Sequence, residues 1–98
     1  MPAIAPRGAI VSISNSRFYG NSVQAIAAGG NADITITDSV FAGNASGVVA
    51  VSSGQAYVAN SQFANNGTAF NTGAGANIRI SNNELVNNGT NFVLGGTI

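Results

Sequence analysis

The fold of this chain is decided by the stretch Ile34-Thr35-Ile36-Thr37-Asp38, which continues to Phe41 and Asn44. Apolar and polar residues alternate in its first part, a pattern typical of a β-strand with one buried face. The same order of residue types occurs three more times, in Val11-Ser12-Ile13-Ser14-Asn15 to Phe18 and Asn21, Ala56-Tyr57-Val58-Ala59-Asn60 to Phe63 and Asn66, and Ile78-Arg79-Ile80-Ser81-Asn82 to Leu85 and Asn88. Repeats of this length, 22 to 23 residues, predict an all-β solenoid in which each copy forms one coil.

The four copies predict one domain of four coils, each with three short strands. The coils cover residues 10–32, 33–54, 55–76 and 77–98, and residues 1–9, with Pro2 and Pro6, form an irregular lead-in. Because coils of one chain follow each other along an axis, we expect successive strands to pair in parallel. The second strand of each copy contributes one large inward residue: Phe18, Phe41, Phe63 and Leu85.

The third strand of each copy has a less regular position. Its inward pair is predicted to lie four and six residues after the asparagine in the last two copies, at Phe70 and Thr72 and at Phe92 and Leu94. In the first two copies we place it five and seven residues after, at Ile26 and Ala28 and at Val49 and Val51. This spacing predicts one extra turn residue in each of the first two coils, because a one-residue slip reverses the faces of a strand.

The composition excludes several classes of function. Only 6% of the 98 residues are charged and the net charge is zero, so there is no electrostatic footprint for nucleic acid. The chain has no Cys and no His, which removes disulfides, thiolate or imidazole metal sites and Ser-His or Cys-His catalysis. No apolar run approaches the ~20 residues that cross a bilayer, so we expect no membrane insertion. We predict no catalytic, cofactor-binding or metal-binding residues.

The repeat resembles the right-handed parallel β-helices of the pectate-lyase-like superfamily. The resemblance rests on Ile34-Thr35-Ile36-Thr37-Asp38-Ser39, Phe41 and Gly43-Asn44, and on their equivalents from Val11 to Leu94. It implies the right-handed β-helix fold for nearly the whole chain, whereas the family's activities range from polysaccharide lyases and hydrolases to phage tail and surface proteins. A shared fold does not transfer a function.

One column is identical in all four copies, namely Asn21, Asn44, Asn66 and Asn88. We interpret it as an asparagine ladder, in which side-chain amides bond to the turn backbone and to the neighbouring coil. A row of amides that binds sugar hydroxyls is the alternative. Three of these residues also match the N-glycosylation pattern, which we interpret as coincidence because a glycan does not fit inside a ladder.

The outer face of the first strands is the candidate binding surface, and its central column is Ser12, Thr35, Tyr57 and Arg79. In pectate-lyase-like enzymes this face holds an arginine base beside calcium-binding acids, so the resemblance carries over only Arg79.

Asp38 takes the place of a turn asparagine, and Glu84 points outward beside Leu85. Asp33 and Asp38 bracket a strand segment and lie ~13 Å apart, beyond the ~5 to 9.5 Å that glycoside hydrolysis needs. A flat hydroxyl face of the ice-binding kind begins at Thr35 and Thr37 but is not continued at Tyr57 and Ala59.

The ends of the repeat suggest what the protein does. Solenoids usually carry polar caps, whereas this sequence stops at Thr97-Ile98 without one. We therefore predict a homo-oligomer that forms through uncapped coil ends or an apolar flank. The leading interpretation is a non-enzymatic structural or self-assembling module, part of a larger exported or surface protein. The alternative is a polysaccharide-binding or carbohydrate-active piece of a β-helix. No signal peptide is visible, and the absence of Cys fits either an exported or a cytoplasmic protein, so the sequence leaves the compartment open.

Overall fold

A computed structural model describes Ile4 and residues 8–98 of the chain. Within this part, three strands follow each other in every coil and no helix occurs. The strands are β1 (Ile10–Ser14), β2 (Arg17–Tyr19), β3 (Gln24–Ala28), β4 (Asp33–Thr37), β5 (Val40–Ala42), β6 (Ser46–Ala50), β7 (Gln55–Ala59), β8 (Gln62–Ala64), β9 (Thr68–Thr72), β10 (Asn77–Ser81), β11 (Glu84–Val86) and β12 (Thr90–Leu94). The predicted all-β solenoid of about four coils with three strands per coil is confirmed.

Three parallel sheets run along the solenoid. The first sheet is β1-β4-β7-β10, the second is β2-β5-β8-β11 and the third is β3-β6-β9-β12. The first strands align Ile10 with Asp33, Asp33 with Gln55 and Gln55 with Asn77, so one coil is 23 residues long and the next two are 22. The strand residues therefore form columns that repeat once per coil.

The core lies between the three sheets and is built from these columns. Ile34, Ile36, Val58 and Ile78 are buried in the first sheet. The second sheet stacks its aromatic rings, with centroids 4.9 Å apart for Phe18 and Phe41 and 4.5 Å for Phe41 and Phe63. Aromatic pairs of this kind stabilise by about 0.5–1.5 kcal/mol beyond the area that they bury. In the second sheet phenylalanine thus packs on phenylalanine through the first three coils, and Leu85 continues the column in the fourth.

The third sheet corrects one prediction. The strand pairing places Val48 and Ala50, rather than Val49 and Val51, in the inward columns of Ile26 and Ala28. Val51 lies after the end of β6 and its side chain is exposed. The extra turn residue therefore occurs in the first coil alone. There Ser46 donates its backbone N–H to Val23 and Ala45 donates to Asn21, which leaves Ser22 as the inserted residue.

Short segments touch both ends of the stack. Ile4 forms a parallel bridge with Ile26, and its backbone exchanges hydrogen bonds with Ala25 and Ala27. At the other end Thr97 bridges Asn77. Pro2 and Pro6 of the predicted lead-in lie outside the described residues. The described residues contain no helical segment that could span a bilayer.

Candidate functional site

The outer face of the first sheet brings the predicted binding residues into one column. Ser12, Thr35, Tyr57 and Arg79 are successive register partners, and all four side chains are exposed. Parallel strands place neighbours in such a column ~4.8 Å apart. The column therefore presents two hydroxyls, a phenol and a guanidinium in a row along the solenoid axis.

A groove of about 240 Å³ borders this column between the second and fourth coils. Its polar lining consists of Asp33, Gln55, Tyr57, Asn77 and Arg79. An exposed aromatic ring among amide, carboxylate and guanidinium groups combines an apolar platform with hydrogen-bonding partners. This set is suited to a flat ligand rich in hydroxyl groups.

The three acidic residues are divided between two grooves. Asp33 lines the groove beside Tyr57, whereas Asp38 and Glu84 line a second, wider groove at the turn that leads from the first sheet to the second. Asp38 has the left-handed backbone conformation, with φ 53°, as do its column neighbours Asn15, Asn60 and Asn82. Asp and Asn tolerate this conformation better than most residues, so the column is explained by the turn. Among the described residues, no group of three acidic side chains that could hold a metal ion is found.

The asparagine column forms a continuous hydrogen-bond row between the second and third sheets. Asn44 Oδ1 accepts from the backbone N–H and from Nδ2 of Asn21, at 3.0 and 2.8 Å. Asn66 Oδ1 accepts in the same way from Asn44, and Asn88 Oδ1 from Asn66. Each Nδ2 after the first also donates to a phenylalanine carbonyl, as Asn44 does to Phe18 at 3.0 Å. The row therefore satisfies the turn N–H groups of Asn21, Asn44 and Asn66 and adds one donor to each phenylalanine carbonyl.

The hydrogen bonds of this row oppose glycosylation at Asn44, Asn66 and Asn88, the three residues that match the glycosylation pattern. The side-chain nitrogen that would carry a glycan donates to a backbone carbonyl in all three residues. Asn44 and Asn66 are also buried. A glycan on either residue would break the row from within.

A second row of side chains lies at the turn between the first and second sheets, and the repeat pattern did not predict it. Ser16 donates its backbone N–H to Ser39 Oγ, Ser39 to Ser61 Oγ and Ser61 to Asn83 Oδ1, at 3.0 to 3.3 Å. The serine hydroxyls in turn donate to carbonyls two residues earlier. One feature of the sequence could have predicted this row. Its members, Ser16, Ser39, Ser61 and Asn83, each directly follow the turn Asn or Asp that has the left-handed backbone conformation.

The fourth coil ends in an apolar surface, which we call the fourth-coil face. Ile80, Phe92, Leu94 and Ile98 line a groove of about 240 Å³ there. Phe92 is 41% exposed and Leu94 is 65% exposed, whereas their register partners Phe70 and Thr72 are buried. The same columns that form the core inside the stack therefore reach solvent at this face.

The comparison with family models matches residues 3–96 to a family described as the right-handed beta helix region. No curated protein matches the chain. No solved structure matches it either.

Proposed function

We propose that this chain, which belongs to the family of right-handed beta helix regions, is a non-enzymatic structural module. It associates with further copies of itself. The association uses the fourth-coil face. The family fixes the fold and leaves the activity open, so the proposal rests on the surface of this chain.

The supporting observation is the exposure of core columns at the fourth coil. Leu94 is 65% exposed and lies beside Phe92, Ile80 and Ile98 in one apolar groove. Within the stack, the equivalent positions are covered by the next coil at ~4.8 Å. Contiguous exposed apolar surface favours an interaction site, and a second copy of the chain is the best-supported partner because the exposed positions continue the core columns.

The backbone at the same face adds directional groups. β11 and β12 are the last strands of the second and third sheets in the described part of the chain, so one side of each strand has no β-partner there. An exposed strand edge is a template for pairing with another chain. Apolar contact and edge pairing therefore act at one surface, in the same way as they hold consecutive coils together.

The test is the concentration dependence of the molar mass. Sedimentation velocity of the 98-residue chain should show oligomers that dissociate on dilution. Leu94→Lys places a charge on the fourth-coil face and should weaken association by about tenfold or more, because the charge loses water on docking. Its circular dichroism spectrum should stay that of the parent, since Leu94 is exposed.

Val51→Lys is the matched control, because Val51 is also an exposed aliphatic residue but lies on the side of the second coil. It should leave the association unchanged. If the parent chain is a monomer at all concentrations, the proposal is wrong. If Val51→Lys weakens association and Leu94→Lys does not, association occurs through a flank.

Polysaccharide binding is the second candidate function, and the groove beside Tyr57 supports it. The groove combines the exposed phenol ring of Tyr57 with Arg79 and the amides of Gln55 and Asn77. Sugar rings bind to such sets by stacking on the aromatic ring while hydroxyls bond to polar groups. A glycan array should then show binding that Tyr57→Ala removes and Val51→Lys retains. A silent array together with concentration-dependent association would favour the structural module alone.

A further inference from the structure

We infer that copies of this chain stack head to tail, with β11 of one copy pairing in parallel with β2 of the next, and that Glu84 and Arg17 form an ion pair across the junction. This inference rests on the proposed function and specifies its partner surface and polarity. The surface that receives the fourth-coil face is then the side of the first coil that faces away from the second coil, which we call the first-coil face.

The asparagine row gives the stack a polarity. Each backbone N–H in the row donates to the Oδ1 of the following coil. Asn21 Oδ1 in the first coil accepts no hydrogen bond from any described residue, and the backbone N–H of Asn88 in the fourth coil has no described acceptor. Placing the first coil of one copy on the fourth coil of another brings this donor to this acceptor and continues the row.

The serine row has the same polarity. Ser16, Ser39 and Ser61 donate their backbone N–H groups to the following coil, and Asn83 ends the row. The backbone N–H of Asn83 is without an acceptor in the described part of the chain, and Ser16 Oγ is the matching acceptor on the first-coil face. Both rows flank the second sheet, so they align the same two strands, β11 and β2.

The charges at the two faces are complementary in the same register. One column of the second sheet contains Arg17, Val40, Gln62 and Glu84, so the two charges are at opposite ends of it. Head-to-tail stacking places Arg17 of the next copy beside Glu84, ~4.8 Å along the column. The neighbouring column brings Phe18 onto Leu85, which extends the row of large apolar residues.

A symmetric arrangement lacks this match. If two fourth-coil faces met about a two-fold axis, the β11 strands would run antiparallel and Glu84 would lie opposite Val86 or another Glu84. Donors of the two rows would also face donors. Head-to-tail contact is heterologous, so it adds copies along the axis and gives an open filament.

Complete stacking displaces two short segments. Ile4 occupies the outer edge of β3, with hydrogen bonds to Ala25 and Ala27, and Thr97 occupies part of the outer edge of β10. On docking, strands of five residues, β12 and β1, take these positions. A few backbone hydrogen bonds are thereby exchanged for full strand pairings.

Charge reversal tests the polarity. R17E places Glu beside Glu84 of the neighbouring copy, and E84R places Arg beside Arg17, so each single variant should associate about tenfold more weakly in low salt. The double variant R17E/E84R should associate like the parent, because every junction then has opposite charges. An equimolar mixture of the single variants should recover association, because alternating copies place opposite charges at every junction. Arg79→Glu is the control for net charge, because the next residue in its column would be the uncharged Ser12, and it should associate like the parent.

The outcomes separate the two proposals. A parent chain that stays monomeric overturns both. A parent that associates while R17E and E84R associate equally well overturns the head-to-tail junction and leaves self-association intact. Weak single variants that neither the mixture nor the double variant restores also overturn it. Arg17 and Glu84 are exposed, so circular dichroism and urea unfolding should show parent-like folding for all variants.

Discussion

Single asparagine side chains hydrogen-bond to the backbone at the turns of this solenoid, and Asn44 is the clearest case. Its side chain is buried, accepts two hydrogen bonds from Asn21 and donates to Phe18 and Asn66. Asn44→Ala leaves the N–H of Asn21 and the carbonyl of Phe18 without these partners, so it should lower the free energy of unfolding by about 1–3 kcal/mol. Urea unfolding followed by circular dichroism measures this loss.

Asn71→Ala provides the comparison for that variant. Asn71 is partly buried in β9, and its side chain makes no hydrogen bond with the described residues. Its replacement should change the free energy of unfolding by less than about 0.5 kcal/mol. Equal losses for the two variants would show that the asparagine row does not stabilise the turn.

The sequence predicted the asparagine row but not the serine row, and the difference lies in the residue types of the two rows. Asn21, Asn44, Asn66 and Asn88 are identical, and one amide recurring at the interval of a coil is typical of a hydrogen-bonded ladder. The second row mixes three serines with Asn83, and serine is common in turns for local reasons. In this second row, a serine hydroxyl or an asparagine amide accepts the hydrogen bond of the equivalent backbone N–H in successive coils. No single residue type therefore marks the row in the sequence.

At the scale of the element, turn length sets the register of the third sheet. The first coil carries one residue more than the others between its ladder asparagine and β3, and that residue is Ser22. Deleting Ser22 should change the free energy of unfolding by less than about 1 kcal/mol, because β3 keeps its inward columns with a turn of the length used elsewhere. Thermal and urea unfolding of the shortened chain test this expectation.

The matched deletion is Ala45, which occupies the same turn in the second coil, where there is no extra residue. Removing it forces β6 to slip by one position or the coil to stretch, and a slip turns Val48 and Ala50 away from the core. We expect a loss of more than about 3 kcal/mol, similar to large cavities in a core. If both deletions were equally harmful, the assignment of Ser22 as the inserted residue would be wrong.

Strand β6 shows where the alternation of apolar and polar residues fails to predict the buried face. From Val48 to Val51 every residue is apolar, so the sequence has no polar position to mark the outer face. Val49 is almost as buried as Val48 although its columns differ, which removes the contrast on which the pattern depends. In β4, Asp33, Thr35 and Thr37 alternate with buried isoleucines, and there the prediction was right.

At the scale of the molecule, every column connects the first-coil face to the fourth-coil face. The rows of hydrogen bonds, the aromatic stack and the charged column all follow the axis, so the properties of an end are set by the columns that reach it. Repeat proteins gain stability from contacts between neighbouring units, and an exposed unit lacks half of them. Association by stacking would restore those contacts without any new kind of interaction.

The short segment at Ile4 then acts against association, because it occupies the β3 edge that an incoming β12 requires. A chain that begins at Gly8 lacks this competitor and leaves the buried side chain of Ile26 next to the free edge. We expect it to associate about threefold to tenfold more tightly than the parent, because docking no longer breaks the hydrogen bonds of Ile4. Sedimentation velocity at matched concentrations gives the comparison, and Leu94→Lys in the shortened chain should reverse the gain. Unchanged or weaker association of the shortened chain would mean that the β3 edge takes no part in the junction, and would restrict the contact to the second sheet.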